Sequence, residues 1–188
     1  MSEFPDGIQV PHDDGAADHL PGVPLPDLVL PASSGVEIKL SMLGHPRTVL
    51  YVYPGTGVPG QPAPDGWDAI PGARGCTAEA CNFRDRFDQL AASGADVLGL
   101  SGQSMQFQQE AAQRLQLPFP LLVDPLLALA DTLGLPTFEL DGVRRYKRLT
   151  MIVRGGVVEQ VFYPVFPPDT HGVQVAHWLA AHPLAVAR

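Results

Sequence analysis

The run Thr48-Val49-Leu50-Tyr51-Val52-Tyr53 is apolar at nearly every position, the pattern of a strand covered on both faces. Shorter β-prone runs stand at residues 97–100, 119–123, 149–153 and 157–163. Gly155-Gly156 joins the last two as a tight turn. Upstream, the apolar stretches at 28–30 and 36–40 bracket Ser33-Ser34-Gly35 and predict an N-terminal β-hairpin. Helical spacing begins at Thr77, with Phe83, Phe87 and Leu90 at i, i+4 and i+7. A second helix is expected from a Ser104 cap to Leu115, with Pro118 beyond it as a stop. A third covers 126–133 and ends at Gly134, and a fourth, amphipathic, covers 173–181. Strands alternating with helices predict an α/β sandwich around a partly parallel sheet.

Composition changes this picture in two places. The 188 residues include 19 glycines and 20 prolines, an excess that predicts long, stiff loops. Much of it falls in one segment, where Pro54, Pro59, Pro62, Pro64 and Pro71 alternate with Gly55, Gly57, Gly60, Gly66, Gly72 and Gly75. No helix or central strand survives that punctuation, and a loop of this length in a compact domain is usually functional or disordered. The other place is the N-terminus. The formal net charge is −8, and Glu3, Asp6, Asp13, Asp14 and Asp18 lie within residues 1–20 with no Lys or Arg beside them. Residues 1–20 therefore read as an acidic arm, either mobile or strapped along the fold. Residues 21–188 read as a single domain, with a core of the size such a length supports.

Charge and patterning also exclude function classes. An acidic chain without a basic tract is a poor nucleic-acid binder and a poor ligand for an anionic membrane. The N-terminus lacks the n-region and h-region of a signal peptide, and no apolar run reaches the length of a membrane helix. A soluble, cytoplasmic protein is the expectation. Two cysteines do not make a disulfide scaffold and cannot complete a zinc site. His12, His19, His45, His171, His177 and His182 show no metal spacing, so neither metal nor cofactor is expected.

The chemistry concentrates in Arg74-Gly75-Cys76-Thr77-Ala78-Glu79-Ala80-Cys81-Asn82-Phe83-Arg84-Asp85. Cys76 stands where the loop turns into a helix, and N–H groups at a helix start favour a thiolate. Arg74 and Arg84 add positive potential. With Leu50-Tyr51-Val52-Tyr53-Pro54 before this block, and Val97-Leu98-Gly99-Leu100-Ser101, Leu117-Pro118-Phe119-Pro120-Leu121-Leu122-Val123-Asp124 and Arg148-Leu149-Thr150-Met151-Ile152-Val153 after it, the chain resembles the peroxiredoxin family, in its Q or bacterioferritin-comigratory-protein branch. The resemblance runs from Val23 to Leu179.

The resemblance implies a thioredoxin-like fold: a central mixed sheet flanked by helices, with an N-terminal β-hairpin. It implies a peroxidase in which Cys76 attacks hydrogen peroxide or an organic hydroperoxide and becomes a sulfenic acid. Cys81 is then the resolving thiol, and thioredoxin or a similar dithiol restores both; the branch implies a monomer or a modest homodimer. Arg148, two positions before Thr150, matches the arginine that supports the thiolate, set against the alternative of a solvated member of the stretch Arg144, Arg145, Lys147 and Arg148. The family brings proline, hydroxyl residue and cysteine close together in sequence. Here Pro54 and Cys76 are far apart, Ala73 occupies the hydroxyl position, and an insertion at 55–75 is implied. Thr56 is the candidate hydroxyl, with an ordinary turn threonine as the alternative. Trp67 either pins the inserted loop over the pocket or tacks it to the surface.

In an intact helix, residues five apart have Cα atoms about 8.6 Å apart, beyond the roughly 7 Å that a disulfide spans. A Cys76–Cys81 bond therefore requires the first helical turn to unwind. Two other readings stand beside the peroxidase: a thioredoxin-like disulfide reductase, and a non-catalytic redox sensor or binding module. The first is disfavoured by the spacing, which is not Cys-x-x-Cys.

Overall fold

The computed structural model describes residues 9–184. The chain begins with the hairpin β1 (Val29–Pro31) and β2 (Glu37–Lys39), then β3 (Arg47–Val52), α1 (Cys76–Asp85), α2 (Phe87–Ala92) and β4 (Ala95–Ser101). It continues through α3 (Met105–Arg114), β5 (Leu121–Val123), α4 (Ala128–Leu133), β6 (Thr137–Leu140) and β7 (Val143–Tyr146). The last elements are β8 (Leu149–Arg154), β9 (Val157–Phe162) and α5 (His171–Ala181).

The main sheet has the order β5-β4-β3-β8-β9. β4 lies parallel to both β3 and β5, while β8 is antiparallel to β3 and β9. β3 is central and buried along its whole length, as its uninterrupted apolar run requires. Its side chains alternate between two cores. Val49 and Tyr51 face Phe83 of α1, Leu90 of α2, Ala111 of α3, and Val175 and Leu179 of α5. Leu50 and Val52 face Leu129 and Leu133 of α4, together with Leu20, Leu25 and Leu30 from the N-terminal segment. The Tyr51 and Phe83 rings stack with centroids 4.6 Å apart, which fixes α1 over the middle of the sheet.

Two segments depart from the sequence expectations, and a third takes one of the two forms expected for it. The helix expected to run from Thr77 through Leu90 is broken at Arg86, whose φ of −108° and ψ of 2° are not helical. The break lets α1 pack against α5 while α2 packs against β4, and Phe83 and Leu90 both stay buried. The hairpin β6–β7 was not expected. It turns on Asp141-Gly142, both with positive φ (53° and 69°), a two-residue turn typed by an Asp-Gly pair; its arms are mostly half-buried and lack the alternation that marks a strand. The third is the acidic arm assigned to 1–20. In its described part Ala17 and Leu20 are buried, Asp14 pairs with Lys147 at 2.8 Å, and Tyr163 donates to Asp14 at 2.8 Å. From Asp13 on, the segment is a packed strap; the first eight residues lie outside the described residues.

Gly75, which precedes α1, has a φ of +99°, and a Cβ there would lie 2.3 Å from Cγ of Pro168. Left-handed backbone and a closed space both demand glycine. Gly75→Ala is expected to cost about 2 kcal/mol of stability, read as a lower urea midpoint. An unchanged midpoint would show that the start of α1 is not held against Pro168.

Candidate functional site

Cys76 is the first residue of α1 and is 4% exposed. Arg148, in the turn leading into β8, reaches it from the sheet. Of the basic stretch at 144–148, Arg148 is the member turned fully inward, 3% exposed. Its Nη2 donates to Cys76 Sγ at 3.1 Å and to the carbonyls of Arg74 at 3.1 Å and Ala73 at 3.3 Å. Its Nε donates to Gly72 O at 3.3 Å, and its Nη1 makes a close ion pair with Glu79. The turn at 72–74 thus lines up its carbonyls on one face of the guanidinium, with Cys76 and Glu79 beside them. Glu79 lies three residues after Cys76, on the same face of α1. Its Oε2 is held by Arg148, and Oε1 has no partner among the described residues.

The segment Pro54-Gly55-Thr56 closes the site from the end of β3. Cys76 Sγ donates to Ala73 O at 3.5 Å, and the backbone of Gly55 favours the charged form of the sulfur. Thr56 is 6% exposed, and its hydroxyl is bonded to Gln103 Oε1 at 3.2 Å. The same Oε1 accepts the Thr56 N–H at 2.8 Å, and Gln103 Nε2 donates to Thr56 O at 2.9 Å. The structure therefore brings Cys76 and Arg148 into contact across 72 positions, while Pro54 and Thr56 are buried at the far side of the 55–75 loop, with the Thr56 hydroxyl turned to Gln103. Cys81 lies further along the intact helix, half-buried, and both cysteines are free.

Electrostatics at the site are a contest over one cation. Burial pushes the Cys76 thiol up, and the charge of Glu79 adds to that; the Arg148 guanidinium and the Gly55 backbone pull it down, and the net direction is up. Burial likewise pushes Glu79 up to about 7, against the pull of Arg148. Arg148 is itself disfavoured by burial, but Cys76 and Glu79 hold its charge firmly in place. One guanidinium faces two acids, and a second buried negative charge is what the site resists. The sequence expectation, a thiolate held by helix amides and Arg148, omitted burial and Glu79. The thiolate forms most readily when Glu79 carries a proton, and the unpartnered Oε1 is the oxygen free to take it.

Sequence reasoning did not single out Glu79 or Gln103. Glu79 was legible in part, since i and i+3 share a helix face. Gln103 left no signal, because its partner Thr56 is distant in sequence. The loop 55–75 contains a short 3-10 turn, Trp67–Ala69. Trp67 meets Phe138 edge-on at 6.1 Å, under the guanidinium of Arg145, so the loop docks on the β6–β7 hairpin. Between them lies a cavity of about 700 Å³ whose lining includes Pro54, Gly55 and Thr56.

A family model described as redoxin matches residues 20–176. A chloroplastic peroxiredoxin Q of Sedum lineare is 30% identical over 146 residues, covering 78% of this chain and 70% of that protein. A Coxiella burnetii protein named as a peroxiredoxin bcp is 30% identical over 157 residues, covering 82% of this chain and 94% of that one. Among solved structures, the Xanthomonas campestris bacterioferritin comigratory protein, studied for alkyl peroxide reduction, superposes with a TM-score of 0.67 at 26% identity, covering 86% of this chain and 98% of that one. The chain belongs to the redoxin family, in its peroxiredoxin Q or bacterioferritin-comigratory-protein branch, thiol-dependent peroxidases on a thioredoxin-like fold. Among the described residues no helix is long and apolar enough to cross a membrane.

Replacing Glu79 by Gln removes a negative charge from beside the sulfur and leaves Arg148 to Cys76 alone. In a Cys81→Ser background, Glu79→Gln is expected to move the pH midpoint of Cys76 alkylation by iodoacetamide downward and to speed the reaction several-fold at neutral pH. An upward or absent shift would show that the carboxylate does not compete for the guanidinium.

Proposed function

We propose that this chain reduces hydroperoxides with Cys76 as the attacking sulfur and Cys81 as the resolving one. The observation that carries the reading is the Cys76 sulfur at a helix start, 3.1 Å from a buried guanidinium. The Cys76 thiolate attacks the terminal peroxide oxygen. A sulfur–oxygen bond forms, the oxygen–oxygen bond breaks, and the alcohol or water leaves with a proton. Cys76 is then a sulfenic acid. Arg148 stabilises negative charge first on sulfur and then on the departing oxygen, while Pro54 and Thr56 shape the wall from which peroxide approaches.

Resolution requires Cys81 to reach the sulfenic acid. The Cys81 thiol attacks sulfur, water leaves, and a disulfide forms. With α1 intact the two residues are too far apart, so its first turn opens, and the Arg148–Glu79 pair parts with it. Thioredoxin or a similar dithiol reduces the disulfide by exchange; the half-buried Cys81 supports that access. A cytoplasmic setting and a monomer or modest homodimer complete the proposal, the first supported by a cysteine content that includes no structural disulfide framework.

Cys76→Ser is expected to abolish peroxide consumption with a dithiol reductant. Cys81→Ser is expected to permit one oxidation per chain, trapped as sulfenic acid by dimedone, without dithiol-driven turnover. Oxidation of the unaltered protein should lower its helical far-ultraviolet circular dichroism, reversibly with dithiol. Sustained turnover by Cys76→Ser, or identical spectra for the two redox states, would refute the scheme.

A further inference from the structure

Arg148 belongs to a two-residue link, 147–148, between β7 and β8. The two side chains of that link leave it in opposite directions. Arg148 runs inward, and its Nη2 donates to Cys76 Sγ at 3.1 Å. Lys147 runs outward, and its Nζ donates to Asp14 Oδ2 at 2.8 Å. Asp14 is held from a second side as well, because Tyr163, just beyond β9, donates its hydroxyl to Oδ1 at 2.8 Å. The strap that carries Asp14 is itself anchored. Ala17 and Leu20 are buried in the core on the α4 side of the sheet, and His19 Nε2 donates to Leu133 O, at the end of α4, at 2.7 Å. Just ahead of the strap, a Cβ at Gly72 would stand 3.4 Å from Pro11, and the Gly72 carbonyl accepts from Arg148 Nε at 3.3 Å. The N-terminal segment thus reaches Arg148 from two directions, through the residue before it in the chain and through the turn that receives its guanidinium.

We infer that Asp14 is a positioning residue for the Cys76 site: by holding Lys147 outward it fixes the direction in which Arg148 points inward, and it makes the reactivity of the sulfur answer to ionic strength. The inference rests on the reading of Cys76 as the attacking sulfur and adds to it a control from outside the site. Asp14 touches neither the sulfur nor the guanidinium and acts through the main chain of the link. A rotation of that link that let Lys147 swing away would also turn the guanidinium, and a hydrogen bond weakens steeply with misalignment. The side chains of Lys147 and Asp14 are 37% and 43% exposed, so salt reaches the tie. The contact between Arg148 and Cys76 is buried, and burial shields it from the same screening.

The test uses the Cys81→Ser background, in which Cys76 is the one thiol. Asp14→Asn should move the pH midpoint of Cys76 alkylation by iodoacetamide upward and slow the reaction about threefold at neutral pH, the scale of one partly exposed ion pair. Oxidation of Cys76 by hydrogen peroxide should slow in step. Lys147→Gln should give the same shift, and the double variant no more than either alone, since both cut one tie. Sodium chloride should raise the midpoint while Asp14 is present and leave it in place in Asp14→Asn. The salt series needs neither strap variant and so decides even where one of them misfolds. A midpoint that Asp14→Asn or salt leaves in place, whatever happens to the melting temperature, overturns the inference and reduces the strap to packing. Additive shifts in the double variant overturn it too. Failure of hydrogen peroxide to oxidise Cys76 with Asp14 present overturns the peroxidase reading instead, while alkylation still decides the role of Asp14.

Discussion

The buried guanidinium of Arg148 is the constraint around which the rest of this peroxiredoxin is arranged. Desolvating a cation of that size costs several kcal/mol unless its donors are satisfied. Here they are met by the carbonyls of Gly72, Ala73 and Arg74, by Glu79 and by the Cys76 sulfur. Three of these partners belong to a turn that only glycine-rich, irregular chain can make. The other two sit on the first turn of α1, whose position over the sheet is set by Phe83 against Tyr51. The loop, the helix and the β8 turn thus fold around one charge.

The same turn is backed from outside. A Cβ at Gly72 would stand 3.4 Å from Pro11, just ahead of the N-terminal strap, and Asp14 of that strap holds Lys147, the neighbour of Arg148. Asp14 is kept well below the usual carboxylate range, to about 2, by its bonds from Lys147 and Tyr163, so the tie is charged under ordinary conditions. Trp67 and Phe138 join the proline-rich loop to the β6–β7 hairpin. An acidic strap, a proline-rich loop and a small hairpin, distant in sequence, are three sides of one enclosure.

Much of the scaffold was legible in the sequence because its signals are local. The uninterrupted run of β3 and the Gly134 stop of α4 each lie within one short window. The site was legible where chemistry is compressed, as in the block from Arg74 to Asp85, and where resemblance supplied spacing, as for Arg148 before Thr150. What escaped notice depends on partners far apart along the chain. The grip of Gln103 on Thr56 and the burial that sets Glu79 against Cys76 both arise only on folding. The break at Arg86 escaped because periodicity reports a face, not the direction in which the helix axis continues.

Three of the five groups around the guanidinium are main-chain carbonyls rather than side chains. Ordinary substitutions replace what projects from the backbone and leave a carbonyl in place. The peptide frame therefore keeps much of the surroundings of Arg148 beyond the reach of most genetic change, and the burden of tuning reactivity during divergence falls on the acid that shares the guanidinium with the sulfur.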